Sequence, residues 1–162
     1  MTNVPNQLIA RIAADSKYWL WINDQLVIFE GGLKRGPSPS GTYYDPVDIA
    51  PYLTKGSNTI AILLWHFGKD GFSHINSGKA ALLFEAIAPG LEIVSDASWQ
   101  CALYEAYQNT EAPFPNYRMP ESNIRFDARQ AITNWNRTSF EGSLPGAVCV
   151  GKAGKAPFGE LV

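Results

Sequence analysis

The sequence predicts an all-β protein, and three observations carry that prediction. No segment sustains an apolar repeat at helical spacing for more than a couple of turns. At least six short runs rich in branched and aromatic residues are separated by Gly, Pro, Asn, Asp or Ser clusters, at the ~8–12-residue spacing of an antiparallel sandwich or barrel. The strongest runs either alternate apolar residues with others or are apolar throughout, as half-buried and fully buried strands require. A single β-sandwich of jelly-roll type over residues 1–162 follows, because double-sheet packing suits strands that are apolar on one face.

In chain order, QLIARIAA places Leu8, Ala10, Ile12 and Ala14 at alternate positions. YWLWIN continues with Tyr18, Leu20 and Ile22 facing one way and Trp19 and Trp21 the other. Asn23-Asp24 tolerates turn geometry and QLVIFEGG returns, so Tyr18 to Gly31 reads as a hairpin. The segment LKRGPSPSGTYYD has the composition of an irregular connection too short to link domains. Asp48 can accept the first free amide protons of a helical turn, with Pro51 early in it and Lys55-Gly56 closing it.

The strand NTIAILLW follows, and after an interruption comes GKAALLFEAI, the best buried strand in the sequence; the two read as a pair flanking a loop. Pro89-Gly90 turns the chain into LEIVSD, and Trp99 is placed to fold back onto the sandwich. Pro113, Pro115 and Pro120 forbid a regular central strand, so the stretch from Cys101 to Met119 is expected to wrap the surface. The phrases FDARQAITNW, FEGSLPGAVCVG and GKAPFGELV read as further short strands.

Composition excludes several classes of function. A formal net charge of −2, with 17% charged residues and no run of like charges, leaves no electrostatic footprint for nucleic acid or an anionic membrane. No apolar stretch approaches the ~18 residues of a membrane span, and MTNVPNQ lacks the basic and apolar regions of a secretory signal. Cys101 and Cys149 have no metal-type partner at close spacing, and two buried free thiols are expected, with a disulfide between them as the alternative.

The interruption from Trp65 to Lys79, WHFGKDGFSHINSGK, is where ligand contact is expected. Trp65, Phe67 and Phe72 offer faces for a pyranose ring, and His66, Lys69, Asp70, His74 and Asn76 offer hydrogen bonds to hydroxyls. The plainer alternative is that these aromatics fill the end of the sandwich while the polar groups cap loop amides or meet another domain. His66 and His74 match no metal-ligand spacing, and capping explains Asp45 and Asp48 as well as calcium would, so no metal or cofactor is expected. Trp19, Trp21, Tyr43 and Tyr44 are a candidate outer aromatic platform, with core packing the default for each one alone, and Lys34-Arg35 reads as a solvated loop or as Arg35 paired with a carboxylate. The sequon Asn136-Arg137-Thr138 matters only in a secreted eukaryotic context.

Several phrases, in order, resemble the N-terminal β-sandwich region of bacterial α-L-rhamnosidases of glycoside hydrolase family 78. They are KYWLWINDQLVIFEGGLKRGP, TYYDPVDIAPYLTKGSNTIAILLWHFGKDGFS, SDASWQ, RFDARQAITNWNRTSF and APFGELV, which together span most of the chain. The middle phrase alone is shared with galactose-binding-like sandwiches of many glycosidases. The resemblance implies a fragment of a larger multidomain enzyme whose inverting hydrolysis is done by two carboxylates on a separate (α/α)₆ domain. None of this chain's residues then inherits a catalytic role. Its partners would be that catalytic domain of the same parent chain and rhamnose-containing glycans, with a periplasmic or extracytoplasmic location left open. An independent carbohydrate-binding module is the alternative, and a small stand-alone glycosidase using Glu30 and Asp70 is the third.

Overall fold

A computed structural model describes residues 1–32, 41–71, 74–110 and 123–162. Their strands are β1 (Ile9–Asp15), β2 (Lys17–Ile22), β3 (Gln25–Gly32), β4 (Gly41–Thr42), β5 (Asp45–Asp48), β6 (Ile60–Trp65), β7 (Ala81–Ala88), β8 (Leu91–Val94), β9 (Tyr107–Thr110), β10 (Asn123–Phe126) and β11 (Glu160–Leu161). A four-stranded sheet, β5-β1-β7-β8, and a three-stranded sheet, β3-β2-β6, are both antiparallel throughout. They enclose one apolar core and do not close into a barrel, which makes the fold the antiparallel sandwich that the strand pattern predicts. The pairs β9–β10 and β4–β11 lie outside the two main sheets, and the second of these is parallel.

The alternation from Leu8 to Ile22 marks the core. Leu8, Ala10, Ile12, Ala14, Tyr18, Leu20 and Ile22 are all buried, and together with Ile49, Leu53, Phe84 and Ala86 they form the apolar cluster between the sheets. What reads as one long strand is two, since the chain leaves the four-stranded sheet after Asp15 and enters the three-stranded one at Lys17. Ser16 is the crossing point.

The hairpin at Asn23-Asp24 has a two-residue loop, with Ile22 paired to Gln25 and positive φ at both turn residues (46° and 70°). That is the primed geometry matching the twist of a right-handed ribbon. The Asn23 amide donates to Tyr52 O (2.8 Å) and its oxygen accepts from Thr59 N (2.9 Å), which ties the turn to the start of β6. On the return strand, Gly31 lies so close to the Tyr18 ring that a Cβ there would sit 2.4 Å from Cζ. The buried Tyr18 hydroxyl thereby reaches Asp45 Oδ2 at 2.9 Å, and burial, then the Asp45 charge, push its pKa above the ordinary phenol value.

Asp48 behaves as its spacing predicts. Its Oδ1 accepts from Ala50 N (3.1 Å) and Leu8 N (3.0 Å), opening the 3₁₀ turn Ala50–Tyr52. Asp45 also accepts from Gly32 N (2.8 Å), so both aspartates are engaged in local structure. Pro46 falls on the edge strand β5, where a missing amide proton costs no ladder bond. Trp99 folds back as expected, its ring 5.6 Å from Phe84 and its Nε1 donating to Val94 O (2.8 Å).

The last forty or so residues differ from their prediction. FDARQAITNW supplies only the end of β10 and the 3₁₀ turn Ala128–Gln130, FEGSLPGAVCVG only an isolated bridge between Gly146 and Gln100, and the terminal phrase only the two-residue β11. Val148 remains 81% exposed. A strand exists only where another backbone completes its ladder, and Gly142, Pro145 and Gly146 break the extended run before one can. Cys101 and Cys149 are free, but both are exposed rather than buried, because this irregular chain lies on the surface. Lys34, Arg35 and the prolines between 111 and 122 fall outside the described residues.

Candidate functional site

β6 and β7 are not neighbours: β6 edges the three-stranded sheet and β7 lies inside the four-stranded one. The loop from Trp65 to Lys79 therefore spans the two sheets at the end where β1 passes into β2, instead of capping one strand pair. Ser16 N donates to Trp65 O (3.1 Å) and Phe67 N donates to Ser16 Oγ (3.1 Å), so the loop begins hydrogen-bonded to the crossing point.

A fully buried carboxylate holds the rest. Asp15 Oδ2 accepts from Ser77 N (2.6 Å), and Asp15 Oδ1 accepts from Ser16 Oγ (2.7 Å) and lies 3.1 Å from His74 Nε2. Because a carboxylate can only accept, that histidine nitrogen carries the proton. Burial by itself raises the Asp15 pKa, but the hydrogen bonds from His74, Ser77 and Ser16 outweigh it and hold the group well below the usual carboxylate range. His66, with a side chain 23% exposed, sits at the rim with Nδ1 3.3 Å from Asp15 O and 3.6 Å from Asp15 Oδ1.

Serine, histidine and aspartate thus converge, yet not as a hydrolytic triad. A triad needs nucleophile and carboxylate on opposite ring nitrogens, so that the base accepts a proton from one and is steadied by the other. Here Ser16 Oγ (3.2 Å) and Asp15 Oδ1 (3.1 Å) both address Nε2. His74 Nδ1 is buried with no partner among the described residues. Asp15 and Ser16 are 0% exposed and His74 2%, so no substrate bond reaches them. The cluster is a latch that fastens the loop across both sheets.

The eight predicted contact residues divide accordingly. His74 is inside the latch, and Phe67 packs edge-on between Trp65 (5.3 Å) and His74 (5.4 Å), making a half-buried aromatic stack at the end of the sandwich. Lys69 and Asp70 are exposed, and Asp70 Oδ1 accepts from Asn76 N (2.7 Å) while Asn76 Oδ1 accepts from Gly78 N (2.9 Å). Phe72 lies outside the described residues. Trp65, His66, Phe67, Lys69, Asp70 and Asn76 therefore form a rim above a buried polar anchor.

Asp15, Ser16 and Ser77 are the partners of the loop that its motif does not reveal. A signal existed: Asp15-Ser16 interrupts an otherwise apolar alternation, and a polar pair in such a place must find partners or destabilise the fold. Elsewhere, Glu30 faces Lys17 (3.4 Å) while Asp70 caps its own loop, so each carboxylate of the stand-alone glycosidase idea has its own structural partner. Trp19 packs on Phe29 (6.2 Å) and Trp21 on Trp135 (5.2 Å), whereas Tyr44 borders a groove on the other sheet. The four rings do not make one platform. Thr138 of the sequon donates from N and Oγ1 to Asp24 (2.6 and 2.9 Å), pinning the C-terminal region to the first hairpin. Among the described residues no three His, Cys, Asp or Glu side chains converge to hold a metal, and no helix is long and apolar enough to cross a membrane.

An antiparallel two-sheet sandwich whose loop is latched across both sheets defines the class. No protein-family profile matches the chain, and no curated protein sequence does. Among solved structures, the chain is similar to a GH78 family rhamnosidase of Bacillus sp. GL1, with a TM-score of 0.79 and 28% identity over 99% of this chain. It shares its fold with an α-L-rhamnosidase from Dictyoglumus thermophilum, with a TM-score of 0.66 and 18% identity over 99% of this chain. In both cases it spans only 17% of the other protein's length, so its counterpart is one domain of a much larger enzyme.

Proposed function

We propose that this chain is a non-catalytic accessory domain of an α-L-rhamnosidase, a galactose-binding-like jelly roll that braces a separate (α/α)₆ catalytic domain. The observation that carries the reading is end-to-end similarity to a GH78 rhamnosidase at 28% identity, confined to 17% of that enzyme. A latch that ties a long loop to both sheets suits a bracing role, since a rigid loop presents a preformed surface to its neighbour. The rim of Trp65, His66, Phe67, Lys69, Asp70 and Asn76 extends the substrate groove of the parent enzyme towards rhamnose-containing glycans.

The test has two arms. Assayed alone on an aryl α-L-rhamnoside, the chain is expected to give no turnover, and turnover lost in Glu30→Gln or Asp70→Asn would overturn the accessory reading. Tryptophan fluorescence is then followed during titration with rhamnose and rhamnose-containing oligosaccharides. Saturable quenching abolished by Trp65→Ala favours an independent carbohydrate-binding module, the second reading, which the exposed Lys69 and Asp70 beside a half-buried aromatic pair support. No quenching favours the brace.

A further inference from the structure

A second concavity lies away from the loop, on the outer face of the four-stranded sheet, and nothing in the reading above uses it. Residues directly opposed across β1, β7 and β8 share a face, and the register opposes Arg11 to Glu85, Glu85 to Val94, and Ala13 to Leu83. Since Ala10, Ile12, Phe84 and Ala86 point into the core, these five side chains point outward. Ala13 and Leu83 form a small apolar floor, and the Arg11–Glu85 pair (3.3 Å) stands beside it.

The walls come from distant parts of the chain. Tyr44 is tied to the C-terminal strand, its N–H donating to Val162 O (3.3 Å), and Leu161 stands beside it. Gly151, Lys152 and Ala153 close the far side. Gly151 has no room for a side chain, since a Cβ would lie 2.2 Å from Ala156 O, so this wall stands where only glycine permits it. The groove is about half open to solvent and has a volume of about 480 Å³, within the range of small-ligand sites.

We infer that this groove is a binding site for a single acidic pyranose, a sugar residue carrying a carboxylate. Arg11 and Glu85 are each about half exposed, so their outer edges are open to a ligand. Together they offer a fan of donors next to an acceptor, the pairing that vicinal hydroxyls satisfy with one oxygen donating and its neighbour accepting. Tyr44, Leu83 and Leu161 supply apolar wall for the carbon face of the ring. Glu85 balances Arg11, and Lys152 has no carboxylate partner among the described residues, so the side chains of the lining carry one surplus positive charge to meet a sugar carboxylate.

The experiment is a titration of the isotopically labelled 162-residue chain with D-glucuronate, D-glucose and acetate, followed through its amide resonances at low salt. Saturable shifts at Ala13, Leu83, Val94 and Lys152 are expected with glucuronate, with glucose bound about threefold more weakly, the size of one exposed ion pair. Lys152→Ala should bring the two sugars to equal affinity, and Glu85→Ala, at an exposed position that folding tolerates, should weaken both. Four results would each overturn the inference: no saturable shifts, shifts confined to Trp65–Asn76, acetate binding as well as glucuronate, or indifference to both Lys152→Ala and Glu85→Ala. Shifts confined to the loop would leave the loop-centred reading standing while removing this one.

Discussion

The two-sheet body and the C-terminal wrap are built from similar residues and treat them in opposite ways. In the body, Leu8, Ile12, Leu20, Ile22 and Phe84 are at most 2% exposed; in the chain after β8, Leu103 is 83% and Val148 81% exposed. Hydropathy does not separate these groups. What differs is pairing: every body strand has a partner that turns alternate residues inward against a second sheet, whereas most of the described residues after β8 have no ladder. Apolar side chains stabilise a fold in proportion to the water they leave, so identical residue types contribute kilocalories in one region and little in the other.

Substitution tests this contrast most directly at its extremes. Phe84→Ala, at the centre of the core and in contact with Trp99, is expected to lose about 3–5 kcal/mol in urea unfolding. Val148→Ala should stay within about 0.5 kcal/mol. Comparable losses at both positions would mean that the wrap is packed in solution as firmly as the body.

The latch should rank next. Asp15→Asn leaves His74 and Ser77 without their anionic acceptor in a dry site and is expected to cost about 3 kcal/mol. It should also change the acid limb of the stability profile. Because the folded-state pKa of Asp15 is depressed, its contribution is complete above the unfolded value of 3.8 and is lost as pH falls below that value towards the folded one. Urea midpoints measured from pH 5 down to pH 2 should therefore fall less steeply in Asp15→Asn than in the parent. Parallel slopes would remove the anionic latch from the account.

Smaller effects sharpen the same comparison. Tyr18→Phe keeps the buried ring and removes its hydrogen bond to Asp45, for an expected loss of about 1–2 kcal/mol. At the bottom of the scale, Cys101→Ser and Cys149→Ser should be nearly neutral, and both thiols should react with a thiol reagent under native conditions, because each is free and exposed. Protection of either until denaturant is added would show that the wrap covers it.

The candidate site was half legible in the sequence. The loop announced itself through aromatics, histidines and glycines set between two apolar strands. Its anchor did not, because Asp15 and Ser16 stand 62 and 61 positions before Ser77 in the chain and look locally like a blemish in a strand. Only the closing of two sheets brings them against His74.

By itself the sequence determined what is local and periodic: which residues of Leu8 to Ile22 face inward, where Asn23-Asp24 turns the chain, and that Asp48 opens a short helical turn. These follow from the two-residue repeat of a pleated backbone and from side chains that hydrogen-bond their own neighbours. The tertiary structure alone decided which sheet each strand joined, that β6 and β7 part company, and that most of the described residues after β10 stay unpaired. Backbone hydrogen bonding between strands is blind to side-chain identity, so partner choice rests on the packing of the whole core, which no short stretch contains.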